Sequence, residues 1–177
     1  MASGLSLYHA LPDPMVGSVL YPLNELRERD PDTFARERTK YEGRDQVLKL
    51  GVPLLDCLWN DVLHLSPVAP VELVEALESA GFTPHRRRFV EVDAAELEPM
   101  RTVFFLNSTD REHRFDESQW QWFDPRFASR HTRLPQATRD YYAACAQDGT
   151  RPLLFAYVPH ALFRGSLDVT GLSVVEV

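Results

Sequence analysis

Hydrophobic and polar positions change period several times along the chain, and each change marks an element. Residues 5–10 alternate loosely around Tyr8 before Pro12 and Pro14 forbid a continuing ladder, which predicts a short first strand and a turn. A helical turn is expected over 15–20. Asp30 followed by Pro31 offers an N-cap and a first helical residue, and Gly43 closes the segment, so 31–42 reads as a helix. Its apolar stripe is narrow, with Phe34 and Tyr41 on one face and Arg38 between them, the pattern of a helix lying on the outside. The most apolar stretch lies between Pro53 and Pro67, is broken at Asn60-Asp61, and predicts a strand over 62–66. Over 70–80, Leu73, Val74, Leu77 and Ala80 recur at helical spacing with Glu72, Glu75 and Glu78 opposite, and Gly81 ends the helix.

In the second half, Arg88–Asp93 sets Phe89 and Glu91 against Val90 and Val92, and 102–106 is β-branched and aromatic; both read as strands. A polar loop over 107–118 gives way to Trp120, Trp122, Phe123 and Phe127, too apolar to stand in water without a reason. A helix is predicted over 135–147, ending near Gly149, and strands over 153–158 and 172–177, with Pro159 and Gly165 in the connection. The chain has no repeat, low-complexity tract or Gly/Ser linker, and its 13 prolines punctuate it throughout. The order of elements is irregular for a doubly wound sheet. The expectation is one α+β domain over 1–177, with a central, mainly antiparallel or mixed sheet and peripheral helices.

Composition narrows this picture. A chain of 177 residues, 44% hydrophobic and 25% charged, can bury one core and stands far from the disordered corner of composition space. A net charge of -7 repels a phosphate backbone and argues against broad nucleic-acid binding. Only Lys40 and Lys49 are lysines, so positive charge rests on arginine, which suits bidentate pairing with carboxylate or phosphate. Cys57 and Cys145 form no metal or disulfide pattern. No leader-like start and no run of 18 apolar residues is present, so a cytoplasmic protein without a membrane span is expected.

The short motifs of P-loop, Rossmann, zincin and serine-hydrolase chemistry are absent. What remains is polar residues at strand ends. His9 follows Tyr8 on the first strand, where an imidazole can hold a ribose hydroxyl or move a proton, or simply end a strand. His64 lies between Leu63 and Leu65, so its ring takes the opposite face; if that face lines a pocket it is the best catalytic candidate, and if it meets water it is ordinary. Asn60-Asp61 and Ser66 can orient a ligand or make local turns. His85 to Arg88 reads as a solvated edge. Arg130, His131, Arg133 and Arg139 run into the helix predicted at Pro135, whose free amides and positive end favour an anion. No catalytic carboxylate pair emerges: Glu112, Asp116 and Glu117 fall in a polar loop. No metal site is indicated either, since Cys57 and His64 stand seven apart without a second pair and Glu112-His113 lacks partners.

Leu7-Tyr8-His9, followed by Ser18-Val19-Leu20, resembles the opening of ADP-ribosyltransferase-like domains; the segment 62–66, the helix to Gly81, the strand Arg88–Asp93 and the ending from Tyr157-Val158-Pro159 to 172–177 resemble the same superfamily, RNA 2′-phosphotransferases included. The resemblance implies NAD as a possible cofactor, His9 as the ribose-contacting histidine, and His64 where the family places an aromatic residue or a histidine. Transferases of this kind present a glutamate near a late strand, whereas 153–158 has no acidic residue, which leaves a binding module or chemistry built on arginine and histidine.

Two readings result. In the first the domain handles a nucleotide or NAD-like small molecule, with His9 and His64 as catalytic candidates and Tyr8, Ser66, His131, Arg133 and Arg139 as ligand-binding candidates. In the second it is a non-catalytic interaction domain that offers the aromatic segment 120–127 to a protein partner.

Overall fold

A computed structural model describes residues 4–109 and 116–177. Its first sheet has β1 (Ser6–Ala10) and β11 (Val174–Glu176) on either side of β6 (Arg88–Asp93). The second runs β5 (Leu63–Leu65), β9 (His160–Phe163), β7 (Thr102–Phe105), β8 (Trp120–Trp122). Each pairing is antiparallel, with Leu7 opposite Val92, Leu63 opposite Phe163 and Phe105 opposite Trp120. One bridge joins the sheets: Tyr8 and Ser66 exchange both backbone hydrogen bonds, at 2.8 and 2.9 Å. Two small ribbons complete the strands, β2 (Val19–Leu20) with β10 (Leu167–Asp168) and β3 (Gly51–Val52) with β4 (Cys57–Leu58).

The helices are α1 (Leu23–Arg29), α2 (Pro31–Arg38), α3 (Pro70–Ser79), α4 (Pro125–Ala128) and α5 (Gln136–Asp148). Asp30 caps α2, accepting from Thr33 N–H at 3.1 Å, and the chain continues through a 3-10 turn over Thr39–Tyr41. None of these helices is long and apolar enough to cross a membrane.

Strand alternation sorts the core. Leu63, Leu65, Phe104, Ala161 and Phe163 point to one face of the second sheet, where they join Leu7, Val90 and Val92 of the first, so a single apolar layer spans the seam. Val103, Phe105, Trp120 and Leu162 point to the other face and pack with Val52, Leu55 and Val62. Beside them α3 and α5 close on Val68, Leu73, Leu77, Tyr142 and Val158. A side chain buried as fully as Leu73 or Leu65 contributes about 1.5–3 kcal/mol relative to exposure.

Three expectations need correction. Residues 15–20 form bends and the extended β2, not a helical turn, because Val19 and Leu20 pair with Asp168 and Leu167. The segment 153–158 is a chain of turns, and the strand lies later, at β9. Helix α1 stands in a stretch for which no element was expected. The polar loop expected over 107–118 falls partly outside the described residues, as does Glu112-His113.

Candidate functional site

The seam between the two sheets shapes the site. Continuing the ladder from the Tyr8–Ser66 rung would pair Ala10 with His64. That rung does not form: β1 stays with β6 through Ala10, β5 stays with β9, and the strands part. At the point of parting the His9 Nδ1 lies 2.8 Å from the His64 carbonyl oxygen, so the imidazole donates where a backbone amide would have done. This fixes the tautomer and leaves His9 Nε2 with its lone pair.

Two more imidazoles are fixed in the same manner. His64 Nε2 donates to the Trp59 carbonyl at 2.9 Å, and His160 Nδ1 donates to the Val158 carbonyl at 2.8 Å. The His64 and His160 ring centroids are 6.3 Å apart; the Trp59 indole lies 4.6 Å from His64, and Phe155 lies 5.1 Å from His160. His9 and His64 are half-buried and His160 is buried. Burial is the main cause that lowers all three from the usual histidine value, and for His64 and His160 the neighbouring imidazoles add to it: His64 falls to about 3 and His160 to about 4. For His9 the bond to the His64 carbonyl opposes the shift, while Lys40 adds to it. At neutral pH these rings are uncharged hydrogen-bonding groups, and a value near 3 makes His64 a weak proton acceptor.

Charge enters from the turn after α2. Lys40 pairs with Glu37, and both act electrostatically on His9. The Arg44 guanidinium lies over the Tyr41 ring at 5.6 Å. The Trp59–Asp61 turn is held by Asp61, which accepts from Leu58 N–H and from the Asn24 amide of α1, each at 2.7 Å. Asn60 is 2% exposed, and its Nδ2 has no partner among the described residues.

The structure thus brings His9 and His64 together and adds His160, Glu37 and Lys40, which the sequence reading passed over. The rarity of lysine was a usable signal for Lys40. His160 could not be found while its strand was placed too early. The other candidates go elsewhere. Tyr8 points to the face opposite His9, near Ser6 and Glu91, whose own hydrogen bond is 2.5 Å. Ser66 is 1% exposed, and its hydroxyl accepts from Val68 N–H in a local turn. His131 packs against Phe127 and Phe104, at 4.9 and 5.6 Å. Arg133 and Arg139 are exposed at the start of α5, where Leu134 N–H already donates to the Glu72 carboxylate at 2.9 Å. Among the described residues no group of three or more His, Cys, Asp or Glu side chains is arranged to hold a metal ion.

The fold and site define an antiparallel α+β protein whose sheet is opened at a histidine. Comparison of the chain with protein-family models, with curated proteins and with solved structures gives no match.

Proposed function

We propose that this chain is a nucleotide- or NAD-handling domain of ADP-ribosyltransferase-like type, which takes a ribose at the opening between β1 and β5. The observation that carries the reading is the parting of the strands at His9, whose neutral imidazole keeps Nε2 as an acceptor for a ribose hydroxyl. Lys40, whose charge reaches His9 from the turn after α2, supplies positive charge for a phosphate. His64 and His160 support the site by shape and hydrogen bonding, since burial keeps both uncharged. Strand β9 and the turns before it hold no acidic side chain, so binding is the core of the proposal and glutamate-dependent ADP-ribosyl transfer is not included.

The interaction-domain reading loses ground on burial. Trp120 is 7% exposed and Phe123 4%, which leaves Trp122, at 43%, as the exposed aromatic of the segment. A thermal-shift titration with NAD, ADP-ribose and nucleoside phosphates tests the proposal. Ligand at a hundred times its dissociation constant stabilises the fold by about 2.7 kcal/mol, and His9→Ala is expected to abolish the shift. The absence of a shift with every one of these ligands refutes it.

A further inference from the structure

On the helical side of the sheet lies a cleft of about 150 Å³ that the seam does not involve. Its floor is apolar: Leu73 and Leu77 of α3, Phe82 after it, Phe89 of β6 and Leu154. A cavity of about this volume with hydrocarbon walls accommodates roughly one benzene ring.

Two guanidiniums stand at its wall, Arg87 and Arg151. Neighbouring arginines are paired, Arg86 with Glu176 at 2.6 Å and Arg88 with Asp13 at 4.0 Å, whereas Arg87 and Arg151 make no ion pair among the described residues. The extended chain that leads into β6 explains the difference: Arg87, whose backbone pairs with Val177, lines the cleft together with Phe89, and its neighbours Arg86 and Arg88 do not line it. Among the described residues no Asp or Glu side chain lines the cleft. Partial burial, and then the charge of Arg151, hold Arg87 below the usual guanidinium value, with Tyr142 acting in the opposite sense, so the two cations sense each other. The segment carrying Arg151 is fixed from α5, where the Tyr142 hydroxyl donates to the Leu154 carbonyl and the Tyr141 hydroxyl accepts from Leu153 N–H. The wall is therefore built in place.

We propose that this cleft binds a small aromatic monoanion of the aryl-carboxylate class, its ring on the apolar floor and its carboxylate between Arg87 and Arg151. The ring removes apolar wall from water, and the carboxylate relieves the repulsion between two cations with charge-assisted hydrogen bonds. Neither half of the ligand suffices, because the floor offers no donor and the guanidiniums offer a small anion no shelter.

Calorimetric titration of the full chain with phenylacetate, phenylacetamide and acetate tests each half. Saturable binding is expected for phenylacetate, and binding of the amide and of acetate at least about tenfold weaker. Arg87→Gln and Arg151→Gln should each weaken phenylacetate by about tenfold or more while leaving the far-ultraviolet dichroism unchanged, since neither residue belongs to the buried core. His9→Ala should bind phenylacetate as the parent does, which separates this cleft from the seam. No binding of phenylacetate, equal binding of the amide, or unchanged binding in both arginine variants overturns the proposal.

Discussion

At the scale of single residues, the imidazoles of His64 and His160 tie stability to pH. His64 is neutral in the fold down to about 3 and His160 down to about 4, while the same side chains in the unfolded chain take up protons near 6.5. Above 6.5 both states are neutral and the contribution to stability is fully present. As pH falls below 6.5 the unfolded chain binds protons that the folded chain refuses, so stability is lost until the folded values are reached. Each such histidine adds at most about 1.4 kcal/mol per pH unit to that slope. His64→Gln keeps a donor for the Trp59 carbonyl and removes one titrating group. Urea unfolding of parent and variant between about pH 6 and pH 4.5 should show the slope reduced by roughly 1 kcal/mol per pH unit in the variant. Identical slopes would mean that His64 titrates alike in both states.

At the scale of elements, helix ends are held by backbone conformation as much as by contacts. Helix α5 stops at Gly149, which lies at φ 67 and donates from its N–H to the last carbonyls of the helix. A Cβ there meets nothing within 4 Å, so Gly149→Ala probes conformation alone and should cost about 1–2 kcal/mol in chemical denaturation. A loss near zero would show that the helix end can relax. This ending, α3 and β6 were legible because a glycine stop, a 3.6-residue stripe and a short run of β-branched and aromatic residues each belong to one element type. The segment 153–158 was misread for a reason visible in its hydrogen bonds. Its apolar run resembles a buried strand, but the Asn107 amide donates to the carbonyls of Phe155 and Val158, Thr138 to Ala156 and Tyr142 to Leu154. Distant side chains satisfy the backbone that a neighbouring strand would have satisfied, and nothing local announces them. Helix α1 escaped notice because Leu26 is its one buried residue, too little for a stripe. The candidate site was half visible in the same way: His9 and His64 stand on strands with clear patterns, whereas His160 follows the misread turns and Lys40 acts from the turn after a helix that presents mostly charge.

At the scale of the whole molecule, the question is whether the opening at the seam divides the protein into two cooperative units. Between the sheets, among the described residues, the backbone contributes only the two hydrogen bonds of the Tyr8–Ser66 rung, with the His9 side chain adding a third. At about 1 kcal/mol each, these cannot enforce joint unfolding. The apolar layer beneath can. Leu7, Val90 and Val92 from one sheet pack with Leu63, Leu65, Phe104 and Phe163 from the other, all at most 5% exposed, and opening the seam would wet both sides at once. Native-state hydrogen exchange in rising denaturant should therefore bring the amides of Val90 and Leu162, from the two sheets, to one common free energy of opening. Leu65→Ala, at the seam, should cost about 2–5 kcal/mol and separate the two values, because it thins the one layer they share. If the parent already shows values more than about 1 kcal/mol apart, the sheets open independently, and the gap at His9 is a hinge between two units instead of a fixed slot in one.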